Sequence, residues 1–207
     1  MSAIDFYIQV VKALDDIDAP YTIVGAFAGL AFGISRATFD VDILVDLQDD
    51  DCEKLSERFP LPRYYADPEM IRNSIRMGIM FNLIDTEEGV KADLVPIKRE
   101  PDYQVAFERR VRRSFTDAEG KNFNAWCAQP TDIIIGKLKA WTEGQSAKHP
   151  ADIYSMLVFS LSGFSDLPID FQAIDLEATR MGLQTVDLWR ELLTRAQREI
   201  GNRPKGE

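Results

Sequence analysis

Asp40 and Asp42 stand one residue apart in FDVDILVDL, inside an otherwise apolar run. On an extended strand residues i and i+2 point the same way, so the two carboxylates are presented side by side. Like charges that close repel unless a cation lies between them. A hard divalent ion such as Mg²⁺ takes oxygen ligands and commonly combines one or two carboxylates with substrate phosphates. A third acid, Asp93 in KADLVPI, again stands among apolar neighbours on an expected strand. Two ions about 3.5–4 Å apart, bridged by shared carboxylates, can activate an attacking oxygen and stabilise a leaving one, which suits phosphoryl or nucleotidyl transfer. The plain alternative is a solvated strand face, the reading given to Asp46 one pleat further along.

Other residues suit a phosphate-bearing partner. VGAFAG leads a strand into a helix through Gly25, and the amides of Gly25 and Ala26 there form an anion cradle for a triphosphate. A tight turn with no ligand explains the glycine equally well. Arg36 either holds a phosphate or pairs with a nearby acid. Lys137 falls four residues after Ile133 and four before Trp141, so it borders the apolar stripe of its helix. From there it either lays its stem along the stripe or reaches into a cleft to meet a triphosphate. Thr38 is read as structural, His149 beside Pro150 as a surface turn residue in preference to a catalytic base, and Asp152 as a helix-start acid with a site role as the alternative. The run Arg109, Arg110, Arg112 and Arg113 reads as a solvated face, and is the best candidate for an acidic acceptor such as RNA.

The elements that must position these residues follow from periodicity. Residues 2–18 carry Ile4, Tyr7, Ile8, Val11 and Leu14 at helical spacing, and Pro20 stops that helix. YTIVG reads as a buried strand and AFAGLAFG as a small-residue helix. In FDVDILVDL, Val41, Ile43, Val45 and Leu47 share one face and Asp40, Asp42 and Asp46 the other. DDDCEKLSERF is a helix whose early acids favour its dipole. A helix is expected around 68–76, then IMFNLID and VKADLVPI as a hairpin turned at Gly89. From about residue 101 the character changes. Helices are expected in QPTDIIIGKLKAW, with Pro130 in the first turn and Thr131 or Asp132 as cap, in HPADIYSMLVFSL, and over 183–200, before a frayed tail. The expected class is α/β (α+β): a mixed sheet with flanking helices over 1–100, followed by a mostly helical region over 101–207.

Composition sets the outer limits. A chain of 207 residues suits one medium domain or two small ones. Its net charge of -10 argues against a nucleic-acid duplex as the main partner. Cys52 and Cys127 lie too far apart in sequence for a CxxC metal or redox motif. No charged start followed by an apolar h-region is seen. The longest apolar stretch, from Ile23 to Ile34, is broken by glycines and too short for a bilayer, so no membrane partner and a cytoplasmic location are expected.

VGAFAGLAFGISRATFDVDILV followed by KADLV resembles the nucleotidyltransferase superfamily, which has the polymerase-beta-like fold. The pattern is a strand, a glycine with a second small residue, a helix, Asp-x-Asp on the next strand and a third acid on a later one. The likeness covers roughly residues 21–96 and is closest to small bacterial members, including the abortive-infection AbiEii-like toxins. It is looser over PTDIIIGKLKAW and HPADIYSML. It implies a Mg²⁺-dependent enzyme, using two ions, that moves a nucleoside monophosphate from an NTP, with ATP as donor, to an acceptor. That acceptor is a small molecule, a tRNA or a protein. Asp40 and Asp42 would ligate the ions, and Asp93 would complete the site. Gly25, Ala26, Arg36 and Lys137 would serve the nucleotide. Ala26 stands where many members have Gly or Ser, which removes a hydroxyl contact to phosphate. Two other readings are a toxin of the same chemistry and a catalytically silent nucleotide- or partner-binding module.

Overall fold

A computed structural model describes residues 3–36, 38, 40–99, 101–116, 120 and 122–202. The helical pattern at the start forms α1 (Ala3–Asp16), which buries Phe6, Tyr7, Val10, Val11 and Leu14. β1 (Tyr21–Val24) runs straight into the short α2 (Gly25–Gly29). β2 (Val41–Val45) carries Asp42, while Asp40 lies just before it and Phe39 outside the described residues. α3 (Asp49–Arg58) opens with the Gln48 amide donating to the Asp51 carboxylate at 2.9 Å, so an early acid satisfies a free donor as expected.

β3 (Tyr64–Tyr65), α4 (Pro68–Met77), β4 (Phe81–Asp85) and β5 (Val90–Pro96) follow. The β4–β5 hairpin turns at Gly89, φ +66°. After α5 (Pro101–Glu108), β6 (Val111–Thr116) and β7 (Asn122–Cys127) form a second hairpin. The seven strands among the described residues make one mixed sheet in the order β3-β4-β5-β2-β1-β7-β6. β1 runs antiparallel to β2 and parallel to β7, and β2 runs parallel to β5. The stretch after residue 101 thus begins with a helix and two sheet strands before the helices take over.

Four helices follow among the described residues: α6 (Pro130–Gly144), α7 (Lys148–Leu161), α8 (Phe171–Met181) and α9 (Leu183–Gly201). Gln129 holds the N-cap position of α6 with Pro130 in the first turn, so neither Thr131 nor Asp132 caps it. Thr131 instead accepts the Asp170 amide at 2.9 Å, just before α8. Residues beyond Asn202, where the frayed tail was expected, lie outside the described residues.

The chain divides into two compact units, one of Met1–Phe27 with Ala37–Ala128 and one of Ala28–Arg36 with Gln129–Glu207. In the first, the sheet is buried on both faces. Residues paired in register share a face, so Val24, Asp42 and Asp93 lie on one side with Thr22, Leu44 and Val95. That face is not the solvated one of the plain alternative. Leu44 is 1% exposed and packs with Ile97 and Phe107, while Val24, Val95 and Tyr103 rest against them. Asp42 and Asp93 therefore border the core that Leu44 and Val95 enter on the same face.

Candidate functional site

β2 and β5 are parallel neighbours, and their register sets Asp42 directly opposite Asp93. β1 holds the other side of β2, with Val24 opposite Asp42, so Gly25 follows at the end of the strand beside it. Gly25 has φ +67°, and a β-carbon added there would stand 2.5 Å from the Asp42 Oδ2. Glycine is required twice over: for the left-handed backbone and for the close approach of a carboxylate. That is a different task from cradling phosphate, and it ties the VGAFAG turn physically to the acid pair.

Asp93 is 9% exposed and well partnered. Lys91, two residues earlier on the same strand face, places its Nζ 2.8 Å from both carboxylate oxygens. Asn82 on β4, opposite Asp93 in register, donates its amide to Oδ1. Asp93 raises the Lys91 pKa through their hydrogen bond, against the effect of burial, and Asp40 and Asp42 add to the rise through their charge. The ammonium thus sits in the field of all three acids. Extending the β2–β5 register by one residue puts Asp40 alongside Lys91. Tyr7 of α1 meets the same field: burial first, then the charges of Asp40 and Asp93, push its pKa up to about 12.

Among the described residues, no three His, Cys, Asp or Glu side chains gather closely enough to hold a metal ion between them. The Asp93 oxygens are engaged by Lys91 and Asn82 instead. In kind, the donor set still suits a hard dication. It is all carboxylate oxygen, and a lysine ammonium already stands among the acids as a cation in their midst.

Arg36 and Lys137 belong to the second unit, with Asp152 between them. Arg36 donates from Nε and Nη2 to the two Asp152 oxygens at 2.7 and 2.8 Å, a bidentate pair. Lys137 Nζ donates to Oδ2 at 2.6 Å. Lys137 and Asp152 are 5% and 2% exposed. Burial pushes the Asp152 pKa up, but hydrogen bonds from Arg36 and then Lys137 outweigh it and hold the carboxyl below its ordinary value. Of the two readings of Arg36, pairing with an acid is the one observed. Asp152, read as a helix-start acid, is instead the anion that organises two cations. Its position four residues into α7, at the helical-wheel face of Ile153 and Met156, hinted at burial.

His149 is half-buried, and its Nδ1 finds no hydrogen-bond partner among the described residues. Burial, then the charges of Lys137 and Lys148, lowers its pKa. The arginine run is not a solvated face throughout. Arg112 pairs with Asp15 at 3.1 Å and lies over the Trp126 ring, and Arg110 stacks on both Phe107 and Trp126. Their charge is spent on packing.

No family model matches the chain, and no curated protein does. Solved structures do. An antigenic nucleotidyltransferase-like protein from Paracoccidioides brasiliensis superposes at TM-score 0.53 and 16% identity, over 91% of this chain and 91% of that one. ANT(2'')-Ia in complex with adenylyl-2''-tobramycin aligns at TM-score 0.44 and 16% identity, over 93% of this chain and 97% of that one. JHP933 from Helicobacter pylori aligns at TM-score 0.44 and 15% identity, over 95% and 93%. Only the first superposes closely enough to establish a shared architecture. The fold of this chain is that of a nucleotidyltransferase-like protein.

Proposed function

We propose that this protein is a Mg²⁺-dependent nucleotidyltransferase that moves a nucleoside monophosphate from an NTP, with ATP as donor, to an acceptor. The observation that carries the reading is the register pairing of Asp42 with Asp93 on adjacent parallel strands, beside the Gly25 turn. A strand pair that sets two acids together in a nucleotidyltransferase-type fold needs a cation to be tolerated. Asp40 and Asp42 would hold divalent ions, with Asp93 completing the site. When bound, such ions neutralise the phosphate charge that develops during transfer.

In the transfer, a nucleophilic oxygen of the acceptor bonds to the α-phosphorus, the bond to the bridging oxygen breaks, and pyrophosphate leaves. Asp93 is assigned to the acceptor's proton. The Gly25 and Ala26 amides are assigned to the triphosphate. Arg36 and Lys137 are held by Asp152, so any phosphate they serve has to compete with that carboxylate.

One observation favours a second reading, binding without transfer. Lys91 already supplies a positive charge to Asp93, which lets the cluster persist as a structural feature. The deciding experiment is incubation of the protein with labelled NTPs, Mg²⁺ and a cell extract. Transfer of label to a discrete molecule, lost in Asp42→Asn, supports the enzyme. No labelled product with any of the four NTPs, from a protein that still binds them, leaves the silent module.

A further inference from the structure

We infer that Lys91 is a resident counter-ion that occupies the cation's place at Asp93, so that a divalent ion must displace its ammonium to engage the third acid. This rests on the proposed reading of Asp40, Asp42 and Asp93 as the metal site. Three features of the structure support it. Lys91 meets both Asp93 oxygens at 2.8 Å, so it takes the lone pairs a metal would use. Asp93 is nearly buried, whereas the Lys91 side chain is 45% exposed and has solvent to swing into. Asn82 donates to Asp93 from the other side, which fixes the carboxylate while Lys91 comes and goes.

Charge counting gives the consequence. Three carboxylates and one ammonium leave a net charge of about two negatives, which a single dication neutralises. With Lys91 in place, a second dication enters an already neutral site, and its binding waits for the charge of a triphosphate. Lys91 is therefore a positioning residue. It keeps the acids together in the free protein and makes full metal loading depend on nucleotide. The ammonium stays charged throughout, so displacement and not proton loss is the event.

The test is isothermal titration with Mn²⁺ alone on the whole 207-residue chain, comparing wild type, Lys91→Met, Lys91→Arg and Asp42→Asn, with melting temperatures recorded in parallel. Lys91→Met is expected to bind Mn²⁺ roughly tenfold more tightly than wild type, since a competing unit charge is gone from a partly screened site. Without metal it is expected to melt several degrees lower, because Asp93 has lost its charged partner and keeps only the Asn82 amide. Lys91→Arg is expected to bind as wild type does. Asp42→Asn is expected to lose Mn²⁺ binding. If wild type binds Mn²⁺, Asp42→Asn does not, and Lys91→Met binds within twofold of wild type, the counter-ion role is wrong while the metal site stands. If neither wild type nor Lys91→Met binds Mn²⁺, both fall. Should Lys91→Met fail to fold, Lys91→Gln keeps a donor to Asp93 without the charge and supports the same comparison.

Discussion

Asp42 lies against the bare α-carbon of Gly25, where a β-carbon would stand 2.5 Å from its Oδ2. Gly25→Ala therefore forces two adjustments at once. The alanine must hold a left-handed backbone, and the Asp42 carboxylate must move away from its position opposite Asp93. We expect a loss of about 1–3 kcal/mol in urea denaturation. Gly89→Ala is the control, since Gly89 also has a positive φ, +66°, but nothing stands within 4 Å of its added carbon. It should show the backbone cost alone, about 1 kcal/mol. Equal losses for the two variants would mean that contact with Asp42 does not constrain Gly25.

Much of this arrangement was legible in the sequence because it depends on local periodicity. Alternation placed β2 and β5, and the glycine turn placed the β4–β5 hairpin, since each signal lies within one short stretch. Helical spacing placed α1, α6 and α9 for the same reason. Partners distant in sequence were not legible. Arg36 and Asp152 are 116 residues apart, and nothing local tells a paired arginine from a free one. β6 and β7 escaped because their burial pattern is weak, with arginines stacked on Trp126 where apolar residues would have announced a strand. Lys91 escaped because a lysine two residues from an acid on an exposed-looking strand is ordinary. Only the register with β2 shows how many carboxylates it serves.

The Arg36–Asp152–Lys137 group makes an ordered prediction about stability. Asp152→Ala removes the shared anion and takes from the Lys137 ammonium, 5% exposed, the carboxylate that stands 2.6 Å from it. Breaking a buried ion pair from one side costs about 3–5 kcal/mol. Lys137→Met removes a cation but leaves Asp152 its bidentate Arg36, and the methionine fills most of the lysine stem's space. We expect it to cost clearly less, about 1–2 kcal/mol. Chemical denaturation of both variants checks the order. A larger loss from Lys137→Met than from Asp152→Ala would contradict the placing of Asp152 at the centre.

Acid should unfold the protein through carboxylates whose folded pKa lies below the ordinary value. Asp85 is one: burial pushes it up, but the hydrogen bond from Arg63 and the amides of Glu88 and Glu87 outweigh that and lower it. A depressed folded pKa means that the unfolded chain binds the proton more readily. Its stabilisation is complete above the unfolded value of about 3.9 and fades as pH falls through the folded one. Asp152 has the same sign. We expect Asp85→Asn to be less stable than wild type at pH 7, with the difference shrinking steadily below about pH 4. Urea midpoints of the two proteins across pH 2–7 measure it, and a difference that stays constant down to about pH 2 would falsify the assignment.

Asp40 separates a functional acid from a structural one. It is exposed, it lies just before β2, and the hydrogen bond it accepts, from Thr38 Oγ1 at 3.0 Å, uses its backbone oxygen. That bond survives any side-chain change. Removing the carboxylate also relieves repulsion with Asp42, in part already offset by Lys91. Asp40→Ala should therefore change stability without metal by less than about 0.5 kcal/mol, the usual range for an exposed position. If Asp40 holds a divalent ion during nucleotidyl transfer, the same substitution should cut labelling by on the order of 100-fold or more, since fixed charge at the reacting phosphate is lost. Denaturation and NTP labelling on the same preparation read both quantities. An unchanged fold with lost labelling is the outcome expected of a site acid. A loss above about 1 kcal/mol with labelling intact would make Asp40 a structural residue and remove it from the proposed site.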